Sequence, residues 1–202
     1  MLIVDYGIGN LGSIMNMLRR IGIEAKISSD PAEIRAADRL IFPGMGSFDK
    51  AMTNLNKTGL RPALEESVLD RKIPILGICL GMQLLCKGSE EGKLPGLGWV
   101  EATVKRFNFP PDSPLRIPHI GWNDVHITRD SPLLAGLTSR DRFYFAHSYH
   151  VADIAEEYVI GKTNYGYDFA SIIHQGNIMA IQCHPERSFA GGARLLSNFS
   201  KV

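Results

Sequence analysis

Cysteine is scarce in this chain of 202 residues: Cys79, Cys86 and Cys183 cannot all pair with one another, and no Cys-x-x-Cys occurs. That shortage argues against a disulfide framework and for a reducing compartment. A surplus of charge is lacking too, since 22 Lys and Arg face 21 Asp and Glu for a formal net charge of +1. Nothing in that balance points to nucleic acid or to an anionic membrane surface as a partner. Apolar runs such as Ile73–Cys79 fall far short of the ~20 residues of a membrane span. The chain opens on Met-Leu-Ile-Val-Asp-Tyr, a strand-like start with no basic n-region or apolar h-region, so a cytoplasmic location is expected. No HExxH or cysteine cluster accompanies His147 and His150, and neither a metal nor a cofactor is expected. What is present, 45% hydrophobic and 21% charged residues, is the composition of an ordinary folded domain rather than of a disordered, collagenous or coiled-coil chain.

The two halves differ in rhythm. Short apolar runs at Leu2–Tyr6, Ala25–Ser28, Arg39–Phe42 and Ile73–Cys79 are bounded by Gly, Pro or polar residues and read as buried parallel strands. Helical spacing fills the gaps, with Ile14, Met17, Leu18 and Ile21 before Gly22, and Leu55, Leu60, Leu64, Val68 and Leu69 around Gly59. This βαβα order predicts a layered α/β fold with a mostly parallel central sheet. From Trp99 onward strand follows strand: Val100–Phe107, Trp122–Ile127, Phe143–Val151, Tyr158–Thr163, Ala170–His174 and Ile178–Cys183, before a closing helix from Ala190. These form an antiparallel extension, and with no repeat or linker a single domain over residues 1–202 is expected.

Chemistry concentrates at predicted strand ends. Gly77-Ile78-Cys79-Leu80-Gly81 carries an apolar strand directly into a cysteine and then a helix, which is nucleophile-elbow patterning with sulfur in place of oxygen. Flanking glycines permit the sharp turn, the helix start favours the thiolate, and the Leu80 N–H aims at an oxyanion. Cys86 and Cys183 read as buried structural residues. A thiol needs a base, and Cys183-His184-Pro185-Glu186 offers one: in extended backbone Glu186 lies on the same side as His184, accepts its Nδ1–H and leaves Nε2 for the thiol. Phe42-Pro43-Gly44-Met45-Gly46 also ends a parallel strand, where the two glycines around Met45 free the backbone and their N–H groups can supply a second oxyanion donor, or can serve only a strand-end turn. Gly7-Ile8-Gly9-Asn10-Leu11-Gly12 formally matches the dinucleotide fingerprint, with Asp30 as the ribose-binding carboxylate. A tight strand-to-helix turn explains the same glycines.

Together the elbow cysteine, the distant His-Pro-Glu and the Pro-Gly-x-Gly resemble the class I (triad) glutamine amidotransferases over nearly the whole chain. Gly81-Met82-Gln83-Leu84-Leu85, Ser89-Glu90-Glu91, Pro118–Asn123 and Phe145–Tyr149 are more narrowly similar to the glutaminase subunits of imidazole glycerol phosphate synthase. The resemblance implies a flavodoxin-like amidotransferase fold with Cys79 as nucleophile, His184 as base and then acid, and Glu186 orienting His184. Leu80, Met45 and Gly46 would supply the oxyanion hole. Gln83, Glu91, His147, Ser148 and Tyr149 would bind L-glutamine, Glu91 through its α-ammonium. It further implies a heterodimer with a (β/α)8-barrel cyclase subunit that receives the ammonia, docked near Gly7–Asn10 and the segment after Glu186. Arg187 stands where lysine is common in the family. The stretch Gly46–Asn56 also looks like paralogous glutaminases that supply ammonia for a surface-polysaccharide sugar amidation. A dinucleotide-binding protein and a γ-glutamyl hydrolase or thiol peptidase are more remote alternatives.

Overall fold

A computed structural model of the chain describes residues 1–138 and 140–202. Its elements run β1 (Leu2–Val4), α1 (Leu11–Arg20), β2 (Lys26–Ser28), α2 (Pro31–Ala36), β3 (Leu40–Gly44), α3 (Phe48–Thr58), α4 (Arg61–Glu65), β4 (Ile75–Cys79) and α5 (Leu80–Leu84). There follow β5 (Thr103–Arg106), β6 (His119–Asp124), β7 (His126–Ile127), β8 (Arg142–His147), β9 (Tyr149–Ala152), β10 (Val159–Asn164), β11 (Asp168–Gln175), β12 (Ile178–Ile181) and α6 (Phe189–Phe199). The main sheet is ordered β2-β1-β3-β4-β12-β11-β10-β7. Its first five strands are mutually parallel and the remainder antiparallel.

β3 and β4 are buried at every position, which is why they read as unbroken apolar runs rather than as alternating ones. Helices cover both faces. α1 buries Ile14, Met15, Met17 and Leu18, while α3 buries Phe48, Ala51, Met52 and Leu55 on the opposite side with the β3 and β4 neighbours Phe42 and Ile75. Each large apolar side chain so removed from water contributes roughly 1.5–3 kcal/mol. The helical spacing from Leu55 to Leu69 is not one helix: Gly59 takes φ +68° and ends α3, and α4 restarts two residues on with Pro62 in its first turn.

The second half departs from the expected single strand at Phe143–Val151. β8 pairs with β6 in a separate two-stranded sheet, whereas β9 joins the main sheet through β11 and β5. Ser148 is the corner between the two sheets, with its carbonyl accepting from the Phe107 N–H. The carboxyl ends of β1, β3, β4 and β12, together with that corner, define one edge of the molecule.

Candidate active site

Cys79 closes β4 with φ +54° and ψ −112°, a conformation that costs a residue with a Cβ about 1–3 kcal/mol and is held only where the surroundings enforce it. The sharp turn is thus made by the cysteine itself, not by its flanking glycines as the sequence suggested. Those glycines instead allow close packing. A Cβ on Gly81 would lie 1.9 Å from the Phe42 carbonyl oxygen, one on Gly44 2.6 Å from the Gly81 nitrogen, and one on Gly77 2.8 Å from Leu85 Cδ1. β3 and α5 therefore touch backbone to backbone, and the β3–β4 register sets Gly44 beside Cys79.

β12 stops at Ile181, and His184 is followed by a 3-10 turn over Pro185–Arg187 rather than by extended strand. His184 and Glu186 nevertheless meet, with Nδ1 3.0 Å from Glu186 Oε1. Pro185 fixes the turn's entry, and Ser188 ties it down: its buried hydroxyl donates to the His184 carbonyl at 2.6 Å and accepts the Tyr144 N–H at 3.0 Å. The His184 N–H donates to the Tyr144 carbonyl at 2.8 Å. Burial pulls the imidazole down, but its hydrogen bonds with Cys79 and Glu186 outweigh that effect and hold it well above the ordinary value.

A cavity of about 350 Å³ opens at this edge and is lined by Met45, Gly46, Cys79, Leu80, Gln83, Glu91, His147, Ser148, Tyr149 and His184. The residues that the sequence proposed as nucleophile, base, oxyanion donors and substrate contacts therefore meet here, with Glu186 behind His184. Pro118, Ile120, Ala146 and Arg187 complete the wall. Gly46 takes φ +91°, which requires glycine. Tyr6 braces the same segment, its buried hydroxyl donating to the Pro43 carbonyl at 2.7 Å. Glu91 Oε2 accepts the Phe48 N–H at 3.0 Å, and Asp49 reciprocally accepts the N–H groups of Lys93 and Leu94. Burial raises Glu91, opposed by the Phe48 N–H and assisted by Asp49.

Behind the cavity lies a polar chain that sequence reasoning missed. His147 Nδ1 is 2.7 Å from the Tyr149 carbonyl and its Nε2 is 3.1 Å from His119 Nδ1, while His119 Nε2 meets Asn123 Nδ2 at 3.3 Å. A carbonyl only accepts, so His147 carries its proton on Nδ1 and His119 donates to it. The β6–β8 register, which sets His119 opposite His147, is the cause of this pairing. No local sequence signal links two histidines on strands so far apart.

Other sequence candidates fall elsewhere. Asp30 caps α2, accepting from Ala32 N–H at 2.8 Å, and Gly9 packs against Pro43, so the fingerprint serves a turn. Cys86 and Cys183 are buried, and burial pushes Cys86 up to about 12 and Cys183 higher still. His150 bonds Val151 and Tyr167 in the core. Among the described residues no group of three or more His, Cys, Asp or Glu is placed to hold a metal ion, and no helix is long and apolar enough to cross a membrane.

A thiol at a strained strand end, a carboxylate-linked histidine just past the end of a neighbouring strand and a cavity between them are the apparatus of acyl transfer through sulfur. A profile of the class-I glutamine amidotransferases matches residues 2–201, and the chain belongs to that family; it is a glutamine amidotransferase. Within the family it is similar to the imidazole glycerol phosphate synthase subunit HisH of Leptospira borgpetersenii, 42% identical over 201 residues that cover 99% of this chain and 98% of the relative. The subunit HisH 2 of Methanococcus maripaludis is 45% identical, covering 98% of each chain. A crystal structure of a glutamine amidotransferase superposes with a TM-score of 0.77 at 23% identity, covering 99% of this chain and 97% of the other, which supports the same fold.

Proposed function

We propose that this chain, a single glutaminase domain over residues 1–202, is the glutaminase subunit of an imidazole glycerol phosphate synthase. It hydrolyses L-glutamine to glutamate and ammonia in the cytoplasm and passes the ammonia to a (β/α)8-barrel cyclase subunit in a heterodimer. The carrying observation is that Cys79 and His184 line one cavity, with Glu186 bonded to His184 behind it, in a chain whose full-length relatives bear that subunit's name.

Cys79 Sγ attacks the side-chain carboxamide carbon, and the thiol proton goes to His184 Nε2. The resulting oxyanion takes N–H bonds from Leu80 and from the Met45–Gly46 turn. Collapse expels the amine, which receives the proton from His184 and leaves as ammonia. Water, deprotonated by the same imidazole, then attacks the thioester, releasing glutamate and the thiol. Glu186 keeps the imidazole oriented throughout. Glu91 holds the α-ammonium, and Gln83, His147, Ser148 and Tyr149 close around the rest of the substrate.

The cavity mouth supports a docked partner. Met45 and Ile120 line the cavity yet are 50% and 62% exposed. Next to them Trp122 stacks on Phe189 with centroids 5.2 Å apart, and Phe189 is 73% exposed. Apolar surface concentrated at a product exit is the property of a protein interface. Arg187 lies over the Tyr144 ring, its guanidinium carbon 5.1 Å from the centroid, and keeps a positive charge at this rim.

The test is glutamate release from glutamine by wild type and Cys79→Ala, with and without a purified cyclase subunit carrying its nucleotide ligand. Release that depends on Cys79 and rises with the cyclase supports the whole reading. Release that ignores the cyclase retains the glutaminase and redirects the ammonia to another acceptor, such as a polysaccharide sugar. No release in any combination overturns the reading.

A further inference from the structure

We propose that Gln182 is a positioning residue for the nucleophile, its buried carboxamide donating an N–H to the Cys79 sulfur and locked in that orientation by Gln83. The parallel β12–β4 register places Ile181 beside Ile78, so the next residue of the β12 chain arrives beside Cys79. Gln182 is fully buried, and its Nε2 lies 3.7 Å from Sγ, a hydrogen-bonding separation for the larger sulfur atom.

A carboxamide can be turned either way, and its oxygen in place of its nitrogen would repel a thiolate. The surroundings decide the matter. The Tyr149 carbonyl can only accept, so the Gln83 atom 3.0 Å from it is the NH2 nitrogen. That same nitrogen lies 3.0 Å from the Gln182 carboxamide, so the Gln182 atom facing it is the oxygen. The Gln182 NH2 is thereby left to point at sulfur, where it can only donate. His147 reinforces the anchor by donating to the same Tyr149 carbonyl at 2.7 Å. A neutral donor of this kind favours the charged form of sulfur without competing with His184 for the proton.

The inference rests on Cys79 as the nucleophile but not on glutamine as the substrate, so its test uses the full chain without glutamine. Iodoacetamide labelling of Cys79, read by mass spectrometry of its peptide, is followed from acid to alkaline pH in wild type, Gln182→Met and Gln83→Met. The other titratable and charged groups around Cys79 are His184, Tyr6 and Cys183, with His147, Glu91 and Arg187 on the same cavity, and they are unchanged in both variants. Gln182→Met keeps the side-chain length and removes the donor, so the labelling midpoint is expected to rise by about one pH unit, or about tenfold slower labelling at a fixed pH below it. Gln83→Met frees the carboxamide to turn and is expected to shift the midpoint the same way by less. A folded Gln182→Met with the wild-type midpoint overturns the assignment. Should that variant fail to fold by circular dichroism, an unmoved midpoint in Gln83→Met overturns it instead. Absence of glutaminase activity alongside a shifted midpoint would sink the glutaminase reading and leave this one standing.

Discussion

Gly81 and Phe42 meet backbone to backbone: a Cβ on Gly81 would sit 1.9 Å from the Phe42 carbonyl oxygen and 3.2 Å from the Pro43 carbonyl carbon. That contact presses α5 onto the end of β3 and fixes the distance between the Leu80 N–H and the Met45–Gly46 turn. The strained Cys79 backbone persists because both of its flanks are clamped in this way.

Gly81→Ala should therefore cost about 3 kcal/mol, at the upper end of overpacking penalties, because the clash is with backbone that has no rotamer to escape into. Gly88 is the control: nothing lies within 4 Å of an added Cβ there, and Gly88→Ala should be near neutral. Urea denaturation of both variants measures the difference, and equal midpoints would refute the clamp.

Replacing Glu186 with Gln preserves shape and removes the charge. The partner of His184 Nδ1 at 3.0 Å would no longer favour the imidazolium or a unique tautomer, and loss of such a carboxylate lowers kcat by up to about 10⁴ in the serine-protease triad. A fall of about 10²–10⁴ in kcat with little change in KM is expected. Burial would then act on His184 with only Cys79 opposing it, so its NMR titration should move down relative to wild type. A variant with wild-type kcat would remove Glu186 from the mechanism.

How much of this was legible in the sequence follows from what each feature depends on. β1, β3 and β4 could be read because a strand buried on both faces is an apolar run whatever its neighbours. Cys79 and the His184–Glu186 pair could be read because their chemistry is local, although the second pair is joined by a 3-10 turn where extended backbone was expected. Gln182 was invisible, since its role arises only when β12 lies beside β4 in one particular register. His119 and His147 meet through the β6–β8 pairing, and the Ser148 corner exists because consecutive segments join different sheets. Long-range register leaves no trace in residue spacing.

Glu91 should set how tightly the substrate's α-ammonium is held. Only the carboxylate form attracts that charge, and burial raises the group above its ordinary value. The KM for glutamine should thus climb as pH falls through the Glu91 titration, beginning at a higher pH than an ordinary exposed glutamate would produce. Glu91→Gln should raise KM at neutral pH by roughly tenfold or more, in the range of a lost charge-assisted hydrogen bond, and should abolish that acid limb. An unchanged KM in the variant would assign the ammonium to another residue.

The buried histidine pair makes a prediction about stability rather than turnover. Burial holds His119 down to about 4 and His147 to about 3, while in the unfolded chain both titrate near 6.5. Between about pH 6.5 and pH 4 the unfolded state therefore binds more protons than the folded one, and stability falls as pH is lowered through that window, being fully present above it. Protonation would also set two N–H groups against each other across the 3.1 Å His119–His147 contact. His119→Phe keeps a ring in the stack with Tyr165, whose centroid is 4.0 Å away, and removes one of the two titrating groups. Its unfolding free energy, measured with urea at several pH values, should decline less steeply on acidification, by at most about 1.4 kcal/mol per pH unit. A slope equal to that of wild type would mean that His119 is already charged in the folded chain, and the hydrogen-bond directions assigned from the Tyr149 carbonyl outward would then be wrong at that residue.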